Sequence, residues 1–238
     1  MIAPLPQINI AIDGFSSTGK STVAKQLAKT LNYIYVDTGA MYRAVTYFAM
    51  QNNWIDAANV KTDEIVKHLD DIRLEFKPNK ETAQSDMYLN GVNVEQAIRS
   101  MEVSGFVSPV ATIPEVRNFL VEQQQIMGKN KGVVMDGRDI GSVVFPDAEL
   151  KIFLTADAKV RAERRLLELR EKGGQVTFEE IYDNVLERDH IDSTRKVAPL
   201  TKTNDAVEID VTHINKEEQF EKIYRLALER IKALQIKS

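Results

Sequence analysis

A glycine-rich stretch near the N-terminus carries the residue types that bind phosphate. Residues 14–21 read Gly-Phe-Ser-Ser-Thr-Gly-Lys-Ser and follow the apolar run Ile8–Ile12. The glycines let backbone N–H groups turn inward, and the helix predicted after the stretch adds partial positive charge at its start. In such a loop Lys20 reaches the β- and γ-phosphates, and Ser21 ligates Mg²⁺. The stretch therefore predicts a phosphate-binding loop that takes a nucleoside triphosphate.

A second group of charged residues follows another buried strand. Val133–Met135 is apolar, and Asp136 comes directly after it, which is the arrangement of a carboxylate on the Mg²⁺ side of a phosphate loop. Arg138 could then clamp a phosphate with two hydrogen bonds, and Asp139 could accept hydrogen bonds from an exocyclic amino group. An ion pair between Arg138 and Asp139 that braces the turn is the structural alternative.

Arg188, Asp192 and Arg195 form a third group. Their spacing of four and then three residues puts them on one face of a predicted helix. Two arginines held by one aspartate make a clamp for the charge that develops on a transferring phosphoryl group. Salt bridges within the helix explain the same spacing, so both interpretations stay open.

A further arginine stripe lies on the preceding helical segment. Its members are Arg161, Arg164 and Arg165, and Glu163 and Glu168 accompany them. Interspersed charges of both signs are typical of a solvated helix face. We interpret the stripe as such a face.

Asp37-Thr38-Gly39 follows a second predicted strand, Tyr33–Val36, and Arg43 lies on the helix that begins there. This helix start favours anion binding at the same edge of the sheet as the phosphate loop. An ordinary helix cap, with Asp37 or Thr38 as the capping residue, is equally compatible with the sequence.

Strand and helix patterns alternate along most of the chain, which favours a parallel sheet covered by helices. Helical spacing also predicts helices over residues 40–51 and 215–234. The predicted strands are Ile8–Ile12, Tyr33–Val36, Val133–Met135, Leu150–Leu154 and Ala206–Asp210.

The middle of the chain breaks this rhythm. Residues 72–76 alternate between apolar and charged, as in a half-exposed antiparallel strand. Residues 77–86 predict a turn, and residues 87–89 predict the returning strand. The change of period indicates a small insertion into the main domain. The predicted boundaries are 63–105 for the insertion, and 1–62 with 106–238 for the core.

A charged helical region covers about residues 157–195, with a glycine pair at 173 and 174 as a joint. A lid that excludes water from phosphoryl transfer would have this character. A solvated helical hairpin would have it too.

Composition limits the function classes. Of 238 residues, 43% are hydrophobic and 28% charged, which is an ordinary globular balance. The formal net charge of −4 gives no electrostatic argument for nucleic acid or an anionic membrane as a partner. The chain has no cysteine, and its N-terminus has no basic, apolar leader, so we expect a cytoplasmic protein. The three histidines lack metal-ligand spacing.

Five motifs occur in the order in which one enzyme family carries them, and together they closely resemble the bacterial cytidylate kinases. The resemblance covers nearly the whole chain. The motifs are the phosphate loop, Asp37-Thr38-Gly39-Ala40-Met41-Tyr42-Arg43, Asp136-Gly137-Arg138-Asp139-Ile140-Gly141, Val144-Phe145-Pro146-Asp147-Ala148 and Val197-Ala198-Pro199-Leu200.

The resemblance implies transfer of the γ-phosphoryl group of ATP to CMP or dCMP, with Mg²⁺ as cofactor. Separately, we expect a monomer. It implies an α/β fold of the P-loop NTPase type: a five-stranded parallel sheet with helices on both faces, an inserted domain for the nucleoside monophosphate with antiparallel strands, and a helical lid. The implied ATP-binding residues are Gly14, Phe15, Ser16, Ser17, Thr18, Gly19, Lys20, Ser21 and Thr22.

The same resemblance implies roles at the acceptor. Arg43, Arg138 and Arg188 would hold its phosphate, and Arg195 would bridge that phosphate towards the transferring group. The implied catalytic residues are therefore Lys20, Arg138, Arg188 and Arg195. The implied Mg²⁺ ligands are Ser21 and either Asp37 or Asp136. Five further residues complete the implied CMP site. Thr38 would lie near the sugar and phosphate, and Asp192 would bind the sugar hydroxyls. The residues that would recognise cytosine are Ser108, Arg117 and Asp139.

The chain departs from the family pattern in a few places. Thr38 stands where serine is frequent, Phe15 where proline is common, and Ile191 where some relatives have arginine. Three other functions remain as alternatives: a kinase of similar fold for another monophosphate, shikimate or dephospho-coenzyme A; a GTP switch; and a nucleotide-binding module without catalysis. A GTP switch should carry Asn-Lys-x-Asp, which residues 203–205 do not supply.

Overall fold

The computed structural model describes residues 5–56, 59–79, 84–171 and 173–237. The chain divides into two compact units, Met1–Val36 with Gln125–Ser238, and Asp37–Gln124. The predicted insertion, residues 63–105, falls within the second unit, and its own boundaries stay a prediction.

The first unit is built on a parallel sheet of five strands in the order β10-β9-β1-β8-β2. Strand β1 lies in the middle and pairs with β8 and β9 in parallel register, Ile10 opposite both Val134 and Leu150. The predicted strands are therefore confirmed, with ends that differ by one or two residues. The strands are β1 (Asn9–Gly14), β2 (Ile34–Asp37), β8 (Val133–Gly137), β9 (Leu150–Thr155) and β10 (Val207–Asp210).

Two helices cover this sheet and explain its apolar pattern. Helix α1 (Lys20–Leu31) packs against α8 (Lys216–Lys237) and against β8. The shared core contains Leu27 of α1 and Ile223 of α8, both fully buried. Because β1 is buried along its whole length, its end is a rigid point from which the phosphate loop departs.

The charged region is helical, as predicted. Helix α6 (Ala158–Glu171) packs against α7 (Phe178–Thr194), and a capping box of Thr177 and Glu180 starts the second helix. Gly173, with φ +82°, takes the left-handed conformation that the joint requires. Each helix contributes a few buried apolar side chains, such as Leu169 and Val185.

The second unit begins with α2 (Thr38–Gln51), which Asp37 caps as expected: its Oδ1 accepts the Ala40 N–H at 2.8 Å. Two short antiparallel sheets accompany its helices. The further elements of this region are β3 (Ile55–Asp56), β4 (Asn59–Val60), α3 (Thr62–Lys67), β5 (Leu74–Asn79), β6 (Gln84–Leu89), β7 (Val92–Asn93), α4 (Met101–Val110) and α5 (Pro114–Met127).

The predicted turn over residues 77–86 was wrong at both ends. Residues 77–79 belong to β5 and residues 84–86 to β6, and Lys77 pairs with Asp86 across the ladder. Polar side chains do not prevent a strand when the neighbouring strand satisfies the backbone, which is why composition misled the prediction. Residues 80–83 lie outside the described part of the chain.

Helices α4 and α5 were not anticipated from the pattern. Pro109 lies inside α4 and Pro114 opens α5, and prolines weaken a sequence-based expectation of helix. Ser100 caps α4 by accepting the Val103 N–H. None of the helices among the described residues is long and apolar enough to cross a membrane.

Candidate functional site

The phosphate loop leaves the centre of the sheet at a point where only glycine fits. Gly14 has φ +143°, and a Cβ there would lie 2.1 Å from the carbonyl oxygen of Leu154 on β9. Gly19 has φ +82° and is the residue before α1, so its left-handed conformation turns the chain into the helix. The predicted sequence of strand, glycine loop and helix start is therefore present.

Lys20 lies inside this loop and is only 5% exposed. Its ammonium donates to the Phe15 carbonyl oxygen and lies 3.4 Å from the Thr18 hydroxyl. Burial and the nearby charge of Arg138 lower the pKa of Lys20 well below its usual range, and Arg188 acts in the same direction. The structure thus brings the loop lysine and two of the predicted arginines close enough to repel one another.

Ser21 and Asp136 meet at the first turn of α1. The Ser21 hydroxyl donates to Asp136 Oδ2 at 2.9 Å, and the Tyr35 hydroxyl donates to Asp136 Oδ1 at 2.8 Å. A hydroxyl and a carboxylate are oxygen ligands of the kind that Mg²⁺ takes. Tyr35 was expected only as a strand residue, because nothing in local sequence indicates a partner 101 positions away.

Asp192 lies at the centre of the arginine cluster. Its Oδ2 accepts from Arg138 Nε at 2.8 Å, and its Oδ1 lies 3.9 Å from Arg195 Nη1. Burial alone would raise the pKa of Asp192, but the charges of Arg138, Arg188 and Arg195 outweigh it and hold that pKa below its ordinary value. The structure therefore gathers Asp192 with Arg188 and Arg195, as their spacing suggested, and adds Arg138 to them.

Arg195 lies just after α7 rather than within it, which corrects the expectation of one continuous helix face. Its backbone is extended, with ψ 143°, and its Nε donates to the Ala198 carbonyl oxygen at 2.8 Å. Ala198 has φ +47°, so the chain turns sharply there. Asp139 Oδ1 lies 3.9 Å from Arg195 Nη2. The turn thus holds Arg195 beside Asp139 as well as Asp192.

The interpretation of Arg161 as part of a solvated face was wrong. The residue is 3% exposed, and its guanidinium forms an ion pair with Asp189 of α7 through two hydrogen bonds. It also donates to the carbonyl oxygen of Ser16 and lies over the Phe15 ring, 5.2 Å from the centroid. Arg161 is buried because α7 and the phosphate loop pack against it. The spacing of charged residues along a helix carries no information about such tertiary packing. Arg161 therefore ties the phosphate loop to α7.

The second unit has its own cluster of charges at the start of α2. Asp37 Oδ2 lies 2.8 Å from Arg99 and 3.4 Å from Arg43. Burial would raise the pKa of Asp37, but the two guanidinium groups and the Ala40 N–H hold it well below its ordinary value. A Cβ on Gly39 would lie 3.1 Å from Arg43 Nη1, so this glycine leaves room for the pair. Arg99 was missed, because no motif marked it.

Three other predicted residues lie buried in the second unit. Thr38 and Ser108 are each 3% exposed, and Arg117 is 2% exposed. Arg117 donates to the Ala111 carbonyl oxygen at 3.1 Å, and its guanidinium lies 5.6 Å from the centroid of the Tyr42 ring. Helices α2, α4 and α5 position these side chains, with Ser108 on α4 and Arg117 on α5.

Known proteins resemble this chain over nearly its whole length. Residues 10–229 match the family model described as cytidylate kinase. The chain belongs to the cytidylate kinase family. A cytidylate kinase of Flavobacterium johnsoniae is 58% identical over 228 residues, which is 96% of this chain and 99% of that protein. One from Bacteroides fragilis is 55% identical over 217 residues, covering 91% and 95%.

Cytidylate kinases are nucleoside monophosphate kinases, so the chain is an enzyme that transfers a phosphoryl group from ATP. A solved structure of a shikimate kinase from Bacteroides thetaiotaomicron is far more distant, at 13% identity and a TM-score of 0.44, and covers 95% of this chain and 99% of that one. Among the described residues, no group of three or more His, Asp or Glu side chains could hold a metal ion by itself. The Ser21 hydroxyl and the Asp136 carboxylate are oxygen donors of the kind that fits a cation bound together with a nucleotide.

Proposed function

We propose that this chain transfers the γ-phosphoryl group of ATP to CMP or dCMP and releases ADP with CDP or dCDP. One observation supports this most strongly. The charges of Arg138 and Arg188 depress the pKa of Lys20, which means that a phosphate loop and an arginine cluster lie together. A cluster of cations beside a phosphate loop is what two anionic substrates would engage.

The loop residues 14–22 bind the triphosphate of ATP. Inward-facing backbone N–H groups and the start of α1 attract its oxygens, and Lys20 moves from the Phe15 carbonyl oxygen to a phosphate. Mg²⁺, when bound, supplies positive charge at the β- and γ-phosphates. Ser21 and Asp136 would hold it, and Asp136 is favoured over Asp37 because Asp37 is engaged by two arginines.

Arg138, Arg188 and Arg195 act on the phosphate groups of the first unit's site. Arg138 and Arg188 bind the acceptor phosphate, and Arg195 neutralises the charge on the group in transfer. Asp192 keeps the guanidinium groups of Arg138 and Arg195 in place and accepts from the sugar hydroxyls of the acceptor. No side chain acts as a nucleophile, because the acceptor phosphate attacks the γ-phosphoryl group in line.

Residues of the second unit bind the acceptor nucleotide too. We assign Thr38 and Arg43 to its sugar and phosphate, and Ser108 and Arg117 to its base. In the first unit Asp139 accepts from the amino group of cytosine. Uracil has a carbonyl there, so the buried Asp139 would face another acceptor, which is a costly contact.

Closure of the α6 and α7 segment would exclude water from the transfer. The link from Arg161 to Asp189 and to the Ser16 carbonyl oxygen supports a coupling between the loop and this segment. A cytoplasmic location, a monomeric state and the absence of nucleic-acid and membrane partners stay predictions.

A panel of acceptors tests the proposed function. ADP release is followed by a coupled assay with ATP, Mg²⁺ and one acceptor at a time: CMP, dCMP, UMP, AMP or shikimate. We expect kcat/KM for CMP or dCMP to exceed that for the others at least about 100-fold. Equal rates with AMP or shikimate would support a different kinase, and bound ATP without acceptor-dependent ADP release would support a module without catalysis.

A further inference from the structure

Asp13 is a buried carboxylate at the end of β1, directly before the phosphate loop, and it is 6% exposed. Its Oδ1 accepts the Ile140 N–H at 2.8 Å, and its Oδ2 accepts the Gly141 N–H at 2.7 Å. The two amides lie 127 and 128 positions further along the chain. One side chain therefore connects the strand before the loop to the segment after β8.

The two amides open a single π-helical turn, Ile140–Val144. The first N–H groups of a helix have no partner within it, so a carboxylate that accepts from both acts as a cap. The turn begins with the residue after Asp139, and the Asp139 carbonyl oxygen accepts from Val143 N at 2.9 Å. The position of Asp139 is therefore fixed from both sides of its peptide group.

The hydrogen bond from Gly141 to Asp13 explains why position 141 is a glycine. A Cβ there would lie 3.3 Å from Asp13 Oδ2 and 3.1 Å from Cδ of Lys151. Lys151 is itself held, because its ammonium donates to the Pro146 carbonyl oxygen at 2.6 Å. Asp13, Gly141 and Lys151 thus form one packed support beneath the turn.

Burying the carboxylate of Asp13 is energetically unfavourable. Burial raises the pKa of Asp13 to about 6, and the two backbone hydrogen bonds and Lys20 oppose that rise only in part. An asparagine would avoid the cost of the buried charge but could accept only one of the two N–H groups, since its nitrogen is a donor. A buried carboxylate at this position therefore serves both amides at once.

We propose that Asp13 is a positioning residue, which fixes the turn at Ile140–Val144 and thereby sets Arg138 and Asp139 in place for the acceptor nucleotide. The inference rests on the functions proposed above for those two residues. It predicts that Asp13 acts chiefly on the acceptor side of the reaction, although it adjoins the ATP loop in sequence and its charge acts on Lys20.

The Asp13→Asn variant distinguishes an effect on the acceptor nucleotide from an effect on ATP. KM for CMP should rise about five-fold or more, and the ratio of kcat/KM for CMP to that for UMP should fall by a similar factor, because one of two cap bonds is lost. KM for ATP should change less than about two-fold. Equal increases of both KM values, or a rise for ATP alone, would overturn the inference.

Gly141→Ala disturbs the same support without removing the carboxylate. The added methyl group pushes against Asp13 and Lys151, so we expect the same direction of change in KM for CMP and in base selectivity. Ile231→Ala is the matched control for lost stability, because Ile231 is a buried residue of α8 far along the chain from the turn. If this control raises KM for CMP as much as Asp13→Asn does, Asp13 is merely structural.

Asp139→Asn, measured in parallel, distinguishes failure of this inference from failure of the proposed function. Loss of cytosine selectivity in Asp139→Asn with retention in Asp13→Asn overturns the positioning role and leaves the proposed function intact. Retention in both variants contradicts the assignment of Asp139 to the base, and the inference falls with it. Loss in both, with KM for ATP preserved, supports the inference.

Discussion

Asp37 and Asp192 are both buried carboxylates that hold arginines, but the two clusters are built differently. Asp37 caps α2 through the Ala40 N–H, so its position follows from the start of a helix. Asp192 lies in the last turn of α7, and its partners come from the segment after β8 and from the end of α7 itself. The carboxylate of Asp37 is therefore placed by local structure, although Arg99 reaches it from 62 positions away, whereas the cluster around Asp192 depends on where α7 lies.

The difference indicates how an enzyme for two anionic substrates can divide its charges. A carboxylate placed by a helix start keeps its geometry without a ligand, whereas we propose that the geometry of a cluster carried by a helical segment changes when that segment closes. Substitutions in the Asp192 cluster should therefore reduce turnover with little effect on stability. Substitutions in the Asp37 cluster should affect stability and substrate binding together.

Arg138→Ala should have the largest effect, because it removes a proposed phosphate ligand and the 2.8 Å partner of Asp192. We expect kcat with saturating CMP to fall about 10²–10³-fold, and the unfolding midpoint in urea to change little. Steady-state kinetics and urea titrations measure both. Arg165→Ala, at an arginine that forms an ion pair with Glu168 three residues further along its helix, should keep wild-type turnover. If Arg138→Ala lost enough stability to account for its lost turnover, the expected difference between the Asp192 and Asp37 clusters would be contradicted.

Arg99→Ala tests the other side of the comparison. It leaves Asp37 with one guanidinium, at 3.4 Å, and leaves Glu95 without its 2.6 Å partner. We expect the free energy of unfolding to fall about 2–4 kcal/mol and KM for CMP to rise. Urea unfolding provides the first quantity. A variant with normal stability and normal KM would show that Arg99 contributes nothing to the cluster.

The pH dependence of stability sharpens the comparison further. The pKa of Asp37 is held below its ordinary value, so its ionised form stabilises the fold at neutral pH and this contribution is lost as the pH falls below the ordinary carboxyl pKa. The difference in unfolding free energy between wild type and Asp37→Asn should shrink by about 1 kcal/mol from pH 6 to pH 3. A difference that grows on acidification would contradict the sign of the pKa shift.

Tyr35→Phe should have the smallest effect. It removes one hydrogen bond to Asp136 and leaves the bond from Ser21. We expect a cost of about 1 kcal/mol, seen as a several-fold rise in the Mg²⁺ concentration for half-maximal rate, with kcat little changed at saturating Mg²⁺. A large fall in kcat at saturation would mean that Tyr35 does more than orient Asp136.

Sequence predicted the parts of the site that depend on local spacing. The glycines around Lys20 fix a loop geometry, and the four-residue step from Arg188 to Asp192 fixes a shared helix face, so both could be read from the chain. Tyr35, Asp13 and Arg161 could not be, because their functions depend on partners more than 25 positions away. The polar strand residues 77–79 were taken for a turn for a different reason, since their partners in β6 are close along the chain and only their polar composition was misleading.

Turnover of Arg188→Ala tests the central claim most directly, because Arg188 adds positive charge near both Lys20 and Asp192. We expect kcat for CMP phosphorylation to fall at least about ten-fold, while circular dichroism and the unfolding midpoint stay those of the wild type. Near-normal turnover in a folded Arg188→Ala enzyme would contradict it.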